Sequence, residues 1–128
     1  MFAVGNEAKK LIGKTSEAIS VVAPIENGVV VQKQLAIDMF TEFYKKVVPE
    51  KSIFDSVSVS LCVSNGLTDN QIAEFKDVIY SCGIGNIDIV YSSVVSLVGS
   101  DINVNKPNAV ISLNIGGGTT DFAVVSLN

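Results

Sequence analysis

Seven consecutive residues, Ile115-Gly116-Gly117-Gly118-Thr119-Thr120-Asp121, hold the clearest chemical potential in the sequence. They lie between two β-rich runs, Ala109 to Leu113 and Phe122 to Leu127, and the pattern predicts a hairpin with a glycine turn. A turn without Cβ atoms lets backbone N–H groups converge on an anion and lets a phosphate approach the main chain closely. Thr119 and Thr120 add hydroxyl donors. The Asp121 carboxylate suits either a metal-bound water or a cap on the turn. The plain alternative is a hairpin loop that binds nothing; the length of the string strand, GGGTTD, strand favours a phosphate cradle.

Other chemistry is scarce. The chain has no histidine, so histidine bases and histidine metal ligands are excluded. Its nine basic residues are all lysine, only Lys9-Lys10 and Lys45-Lys46 are adjacent, and the net charge is −4, which argues against a nucleic-acid surface. Ser92-Ser93 has no convincing basic partner to make it a nucleophile. Lys14-Thr15 echoes the end of a P-loop without the upstream glycine spacing. Asp69, Glu74 and Asp77 read as a solvated helix face, and Asp38 and Glu42 as surface partners for Lys45 and Lys46. Cys62 and Cys82 fit no metal spacing and read as buried, reduced thiols. Residues 1–13 lack the apolar core of a signal peptide and no run approaches the roughly 18 apolar residues of a membrane span, so a cytoplasmic location is expected.

The elements that must position the glycine turn follow from periodicity. With 128 residues, 48% hydrophobic and 17% charged, the expectation is one domain over 1–128 with a real core. Phe2-Ala3-Val4 reads as an edge strand, and Asn6 as the cap of a helix over Glu7 to Ile12 that stops at Gly13. Ile19 to Pro24 and Val29 to Val31 read as an extended pair about a turn at Glu26-Asn27-Gly28. Ala36, Met39, Phe40, Phe43 and Val47 give a helix over Lys33 to Val48 its dry face. Val57 to Val63 alternates with small residues, as in a strand covered on both faces. Thr68 and Gln71 form a capping-box pair ahead of a helix buried through Ile72, Phe75, Ile79 and Cys82 and closed by Gly83. Ile87 to Tyr91 is a further strand, Ser92 or Ser93 starts a short helix, and Asp101 to Asn108 is loop. Strands alternating with helices imply parallel pairing, with the terminal hairpin antiparallel.

Asn114 to Val125, NIGGGTTDFAVV, resembles the second phosphate loop of the actin and heat-shock-chaperone ATPase superfamily, most closely that of the MreB-type bacterial actins that organise cell shape. Val4 to Val30 resembles the segment after their third strand, and Ser64 to Gly83 matches their next loop and helix, so the likeness is colinear over nearly the whole chain. FtsA-like, pilus-assembly and microcompartment relatives share the glycine loop but match the N-terminal segment less well. The resemblance implies a ribonuclease-H-like, actin-like mixed α/β sheet with helices on both faces. It also implies ATP and Mg2+ as cofactors, contacted through Gly116, Gly117, Gly118, Thr119, Thr120 and Asp121. Self-association or other cytoskeletal and cell-division proteins are the implied partners.

Departures from the family pattern weaken the implied ATPase. Asn114 stands where the family carries an aspartate that holds water on magnesium, leaving a degenerate metal position. Tyr91-Ser92-Ser93 stands where the family has a glutamate that orients attacking water, a loss that commonly costs a factor of roughly a hundred or more in turnover. The family's first phosphate hairpin and its adenosine-binding half match nothing in these residues, so the chain supplies one wall of a cleft. The resulting expectation is a module with an incomplete phosphate site and little or no ATPase activity alone. The alternatives are a non-catalytic interaction domain retaining the fold, or a fragment excised from a longer ATPase. The hairpin Ala109 to Leu127 is expected to fold back beside Phe2-Ala3-Val4 as a circular permutation, or to exchange with a neighbouring molecule as a domain-swapped dimer.

Overall fold

The computed structural model describes residues 3–15, 19–48 and 57–126. Along the chain run α1 (Asn6–Lys9), β1 (Ile25–Glu26), β2 (Val29–Val30), α2 (Lys33–Val47), β3 (Ser58–Val63), α3 (Asp69–Ser81), β4 (Asn86–Tyr91), α4 (Ser92–Gly99), β5 (Val110–Ile115) and β6 (Thr120–Val125). The fold is mixed α/β, as the alternation of apolar periods implies. β3 and β4 pair in parallel across α3, whereas β1–β2 and β5–β6 are antiparallel hairpins.

The core forms where the apolar face of the parallel pair meets a helix and a hairpin. Val59, Leu61 and Val63 alternate with Ser58, Ser60 and Cys62, and the period of two sends the first set inward. Leu61, Val63 and Phe75 of α3 are buried together, with Ile25, Val30, Val59, Leu67, Ile87 and Ile89 packed against them. α3 presents Phe75, Val78 and Ile79 on one face and begins with the expected capping box. The Thr68 Oγ1 accepts from the Gln71 amide at 3.4 Å, while Gln71 Oε1 accepts from the Thr68 amide at 2.9 Å. Its end is marked by Gly83 at φ +81°, a left-handed conformation that favours glycine.

Several expectations are corrected by packing. β3 is covered on one face: its only ladder among the described residues is with β4, and Ser58, Ser60 and Cys62 are exposed. Cys62 is therefore an exposed thiol; Cys82 is half-buried, donating to the Val78 carbonyl at 3.3 Å. Phe2 lies outside the described residues, and Ala3 and Val4 form no strand, although Val4 is buried. α1 is one turn long, with Gly5 rather than Asn6 at its N-cap. Gly5 has φ +62°, and an added Cβ would come within 3.3 Å of the Phe43 ring, so contact with α2 sets this turn. The first hairpin is confined to Ile25–Glu26 and Val29–Val30, because the Pro24 carbonyl already accepts from the amides of Val31 and Gln32 and closes it. Of the predicted dry face of α2, Ala36 is fully buried, whereas Val47 is exposed.

The fold-back of the C-terminal hairpin is also corrected. β5–β6 is a sheet of its own, joined by no strand from residues 3–4, and it packs on α4 instead. Interactions at Asp121, described below, hold it there. At the other end of the core, Thr68→Ala removes the acceptor for the Gln71 amide. It should lower unfolding stability by about 1 kcal/mol with an unchanged denaturant slope in urea titration; no loss would mean that the cap contributes nothing to α3.

Candidate functional site: a glycine turn and a buried aspartate

The register of β5 and β6 places Ile115 opposite Thr120, leaving Gly116 to Thr119 as the connection. The Gly116 amide donates to the Thr119 carbonyl at 2.8 Å, so this N–H is consumed inside the turn. None of the three glycines has a positive φ. What requires glycine here is close approach, and at one position above the others. A Cβ on Gly118 would sit 2.8 Å from Asn27 Oδ1, whereas one on Gly117 would meet nothing within 4 Å.

The neighbour is the β1–β2 turn. Asn27 and Gly28 have φ of 49° and 77°, the pair of left-handed residues that a two-residue hairpin of matching twist requires. A Cβ on Gly28 would lie 3.1 Å from Thr119 Cγ2, so the two turns abut, with Gly118 and Thr119 against Asn27 and Gly28. The main-chain surface left for an anion is accordingly narrow and centres on Gly117. Thr120 is the first residue of β6, exposed and on the hairpin face opposite to Asp121, away from the Asn114–Asp121 pair.

Asp121 is 5% exposed, and both carboxylate oxygens have internal partners. One accepts from the Ser64 hydroxyl and from the Asn65 amide at 3.1 Å; the other accepts from the Ser92 hydroxyl. These donors meet because Val63 and Tyr91 are in register at the ends of β3 and β4, so Ser64 and Ser92 follow side by side. The Ser64 hydroxyl first, then that of Ser92, and also the Asn65 amide, hold the Asp121 carboxyl below the ordinary aspartate range; burial opposes them and loses.

The same cluster starts α4. Tyr91 at its N-cap supplies no side-chain bond, but Asn65 Oδ1 accepts from the Ser93 amide at 3.4 Å, the single Ser92 hydroxyl hydrogen being given to Asp121. A carboxylate and an amide oxygen thus stand at the positive end of the helix, where negative charge is favoured. Ser112 adds a bond from its hydroxyl to the Ser93 carbonyl at 3.2 Å. Ser92, considered above as a nucleophile, donates to an ionised carboxylate with no stronger base beside it, so its role is positioning.

Of the residues singled out in the sequence, Gly116 to Thr119 lie together at the turn, and Asn114 faces Asp121 across the ladder. Asp121 turns its carboxylate toward β3 and α4. Among the described residues no three Asp, Glu or Cys side chains converge as metal ligands, and one carboxylate already bound by three donors beside the neutral Asn114 does not make a magnesium site. Sequence reasoning missed Asn27, Ser64 and Asn65. Ser64-Asn65-Gly66 just past the carboxyl end of a parallel strand was the available signal, since ligand-facing loops gather there.

Because the folded Asp121 carboxyl lies below its unfolded value near 3.9, its contribution is fully present above that value. It is lost as pH falls through the folded one. Asp121→Asn should cost about 2 kcal/mol at neutral pH and flatten the acid decline of stability in urea titrations below pH ~4. Parallel pH curves for the two proteins would show that the carboxylate is not the titrating clamp.

The chain can now be set beside known proteins. The family model described as MreB/Mbl protein matches residues 1–128. The cell shape-determining protein MreB of Pasteurella multocida is 29% identical over 126 residues, covering 98% of this chain and 36% of that protein. The cell shape-determining protein Mbl of Bacillus subtilis is 26% identical over 127 residues, covering 99% of this chain and 38% of that protein. The solved structure of MreB5 of Spiroplasma citri bound to ADP superposes with a TM-score of 0.85 at 27% identity, over 98% of this chain and 37% of that one. The same protein bound to AMPPNP gives 0.86 at 28%. The chain therefore spans a little over a third of the length of these relatives. With the whole described fold superposing and the family match running from the first residue to the last, this chain belongs to the MreB/Mbl family of actin-like proteins.

Proposed function

We propose that this chain is a single-domain, cytoplasmic part of an MreB-type actin module, acting in cell-shape or filament organisation, whose glycine turn contacts nucleotide phosphate weakly and without turnover. The observation that carries the reading is the Gly116–Thr119 turn, with Gly117 open, in a fold that superposes on an MreB solved with ADP and with AMPPNP. Phosphate contact would come from main-chain donors of Gly117, Gly118 and Thr119, with the Gly116 amide held back by its bond to Thr119. Thr120 and Asp121 contribute by fixing the strand beyond the turn.

Weakness follows from three features. One of the three glycine amides is spent, Asn114 brings no charge for magnesium, and Tyr91-Ser92-Ser93 brings no carboxylate to orient water. No helix among the described residues is long and apolar enough to cross a membrane, which accords with a cytoskeletal role. Self-association fits the same role.

Calorimetric titration with ATP, with and without magnesium, tests the reading. Saturable binding near a Kd of about 1 mM is expected, with phosphate release no faster than in buffer. Asn114→Asp places a second carboxylate opposite Asp121, which costs stability in the absence of metal and should make nucleotide binding depend more steeply on magnesium. Silence from both proteins toward nucleotide would end the phosphate assignment. Measurable hydrolysis by the wild type would end the claim of an incomplete site.

A further inference from the structure

The dipeptide Asn-Gly occurs twice in the sequence, at Asn27-Gly28 and at Asn65-Gly66. In this dipeptide the following backbone amide reaches the asparagine side-chain carbonyl with no Cβ in the way. The fold treats the two copies unlike. Asn27 and Gly28 are held between the Glu26–Val29 ladder pair and the glycine turn. A Cβ on Gly118 would sit 2.8 Å from Asn27 Oδ1, and one on Gly28 would sit 3.1 Å from Thr119 Cγ2. Asn65 and Gly66 are instead the central residues of a turn in which the Leu67 amide donates to the Ser64 carbonyl at 3.4 Å. Neither has a positive φ, and a Cβ on Gly66 would meet nothing within 4 Å, so Gly66 moves toward Asn65 without displacing a neighbour. The Asn65 side-chain carbonyl is also activated. Its Oδ1 accepts from the Ser93 amide in the first turn of α4, where the helix dipole favours negative charge. A donor so placed stabilises the oxygen charge that develops when the carbonyl carbon is attacked.

We infer that Asn65 is a site of spontaneous deamidation in the folded chain, with water as the co-reactant, and that the reaction loosens the Asp121 clamp. The Gly66 N–H gives its proton to solvent hydroxide and its nitrogen bonds to Asn65 Cγ. The Cγ–Nδ2 bond breaks, and Nδ2 leaves as ammonia. Water then opens the cyclic imide at either carbonyl, giving aspartate or isoaspartate, and no atom is oxidised or reduced. Either product sets a second carboxylate close to Asp121, which the Asn65 backbone amide already reaches at 3.1 Å. In isoaspartate the former side chain becomes main chain. The connection from β3 to α3 is then one methylene longer, and the Ser93 amide loses its acceptor.

Peptide mapping by mass spectrometry of the full chain, aged in its folded state at mildly alkaline pH, tests the site without any variant. Asn65 should deamidate several-fold faster than Asn27, and the two rates should converge when the chain is aged in guanidinium. Gly66→Ala, at a position that accepts a Cβ, should slow Asn65 to the rate of asparagines outside Asn-Gly pairs. Ser93→Pro deletes the donor within the first turn of α4, where proline is tolerated, and should slow Asn65 while leaving Asn27 unchanged. The deamidated chain carries one more negative charge than the −4 of the intact one, so anion exchange separates the two. The separated product should unfold at a lower urea concentration. Asn27 matching Asn65 in the folded chain, or Asn65 keeping its lead in guanidinium, overturns the inference. So does an unchanged Asn65 rate in either folded variant, or a product with the urea midpoint of the intact chain.

Discussion

The ionised carboxylate of Asp121 is the constraint on which the arrangement depends. It is the only buried acidic group among the described residues, and its three bonds reach the end of β3 and the start of α4. A buried charge left unpartnered would be expensive, so folding must bring Ser64, Asn65 and Ser92 together around it. Those residues are adjacent only if Val63 and Tyr91 are in register. The aspartate therefore specifies more than its own contacts: it selects the β3–β4 register and attaches the terminal hairpin to α4.

This placement also orients the glycine turn. Asp121 fixes β6, the β5–β6 ladder fixes β5, and the four connecting residues are then delivered against the Asn27-Gly28 turn. Contact between the two turns means that a side chain at Gly118 would displace the Asn27 amide group, whereas Gly117 is free of any neighbour. A glycine triplet that looks uniform in sequence has three local duties: one amide closes the turn, one residue faces open space, and one admits a neighbouring loop. Fewer than three main-chain amides are therefore left unspent at this turn.

Local signals in the sequence were read well where the physics is local. Thr68 and Gln71 announce a capping box because both bonds lie within four residues, and α3 begins where they place it. Alternation in Val59, Leu61 and Val63 announces the inward face of β3. What failed depended on distant partners. Alternating Ser58, Ser60 and Cys62 are small enough for a covered face, and only the pairing shows that face open. Asp121 in a glycine-threonine string suggests ligand chemistry; its capture by Ser64, 57 positions away, has no local signature. Asn27 and Gly28 were legible as a turn, but their contact with Gly118 and Thr119 is a tertiary fact.

The permuted hairpin failed for a related reason. Protection of a strand edge alone favours pairing the hairpin beside residues 2–4. The structure satisfies a stronger demand first, the partnering of a buried charge, and that anchors the hairpin at α4 whatever becomes of its edges. Once Asp121 and Asn114 face inward, the strict period of two obliges Ile111, Leu113, Ile115, Phe122 and Val124 to face outward. A one-residue slip would bury those five side chains, but it would expel the aspartate from its donors. Apolar exposure on this hairpin is therefore a direct consequence of the polar clamp.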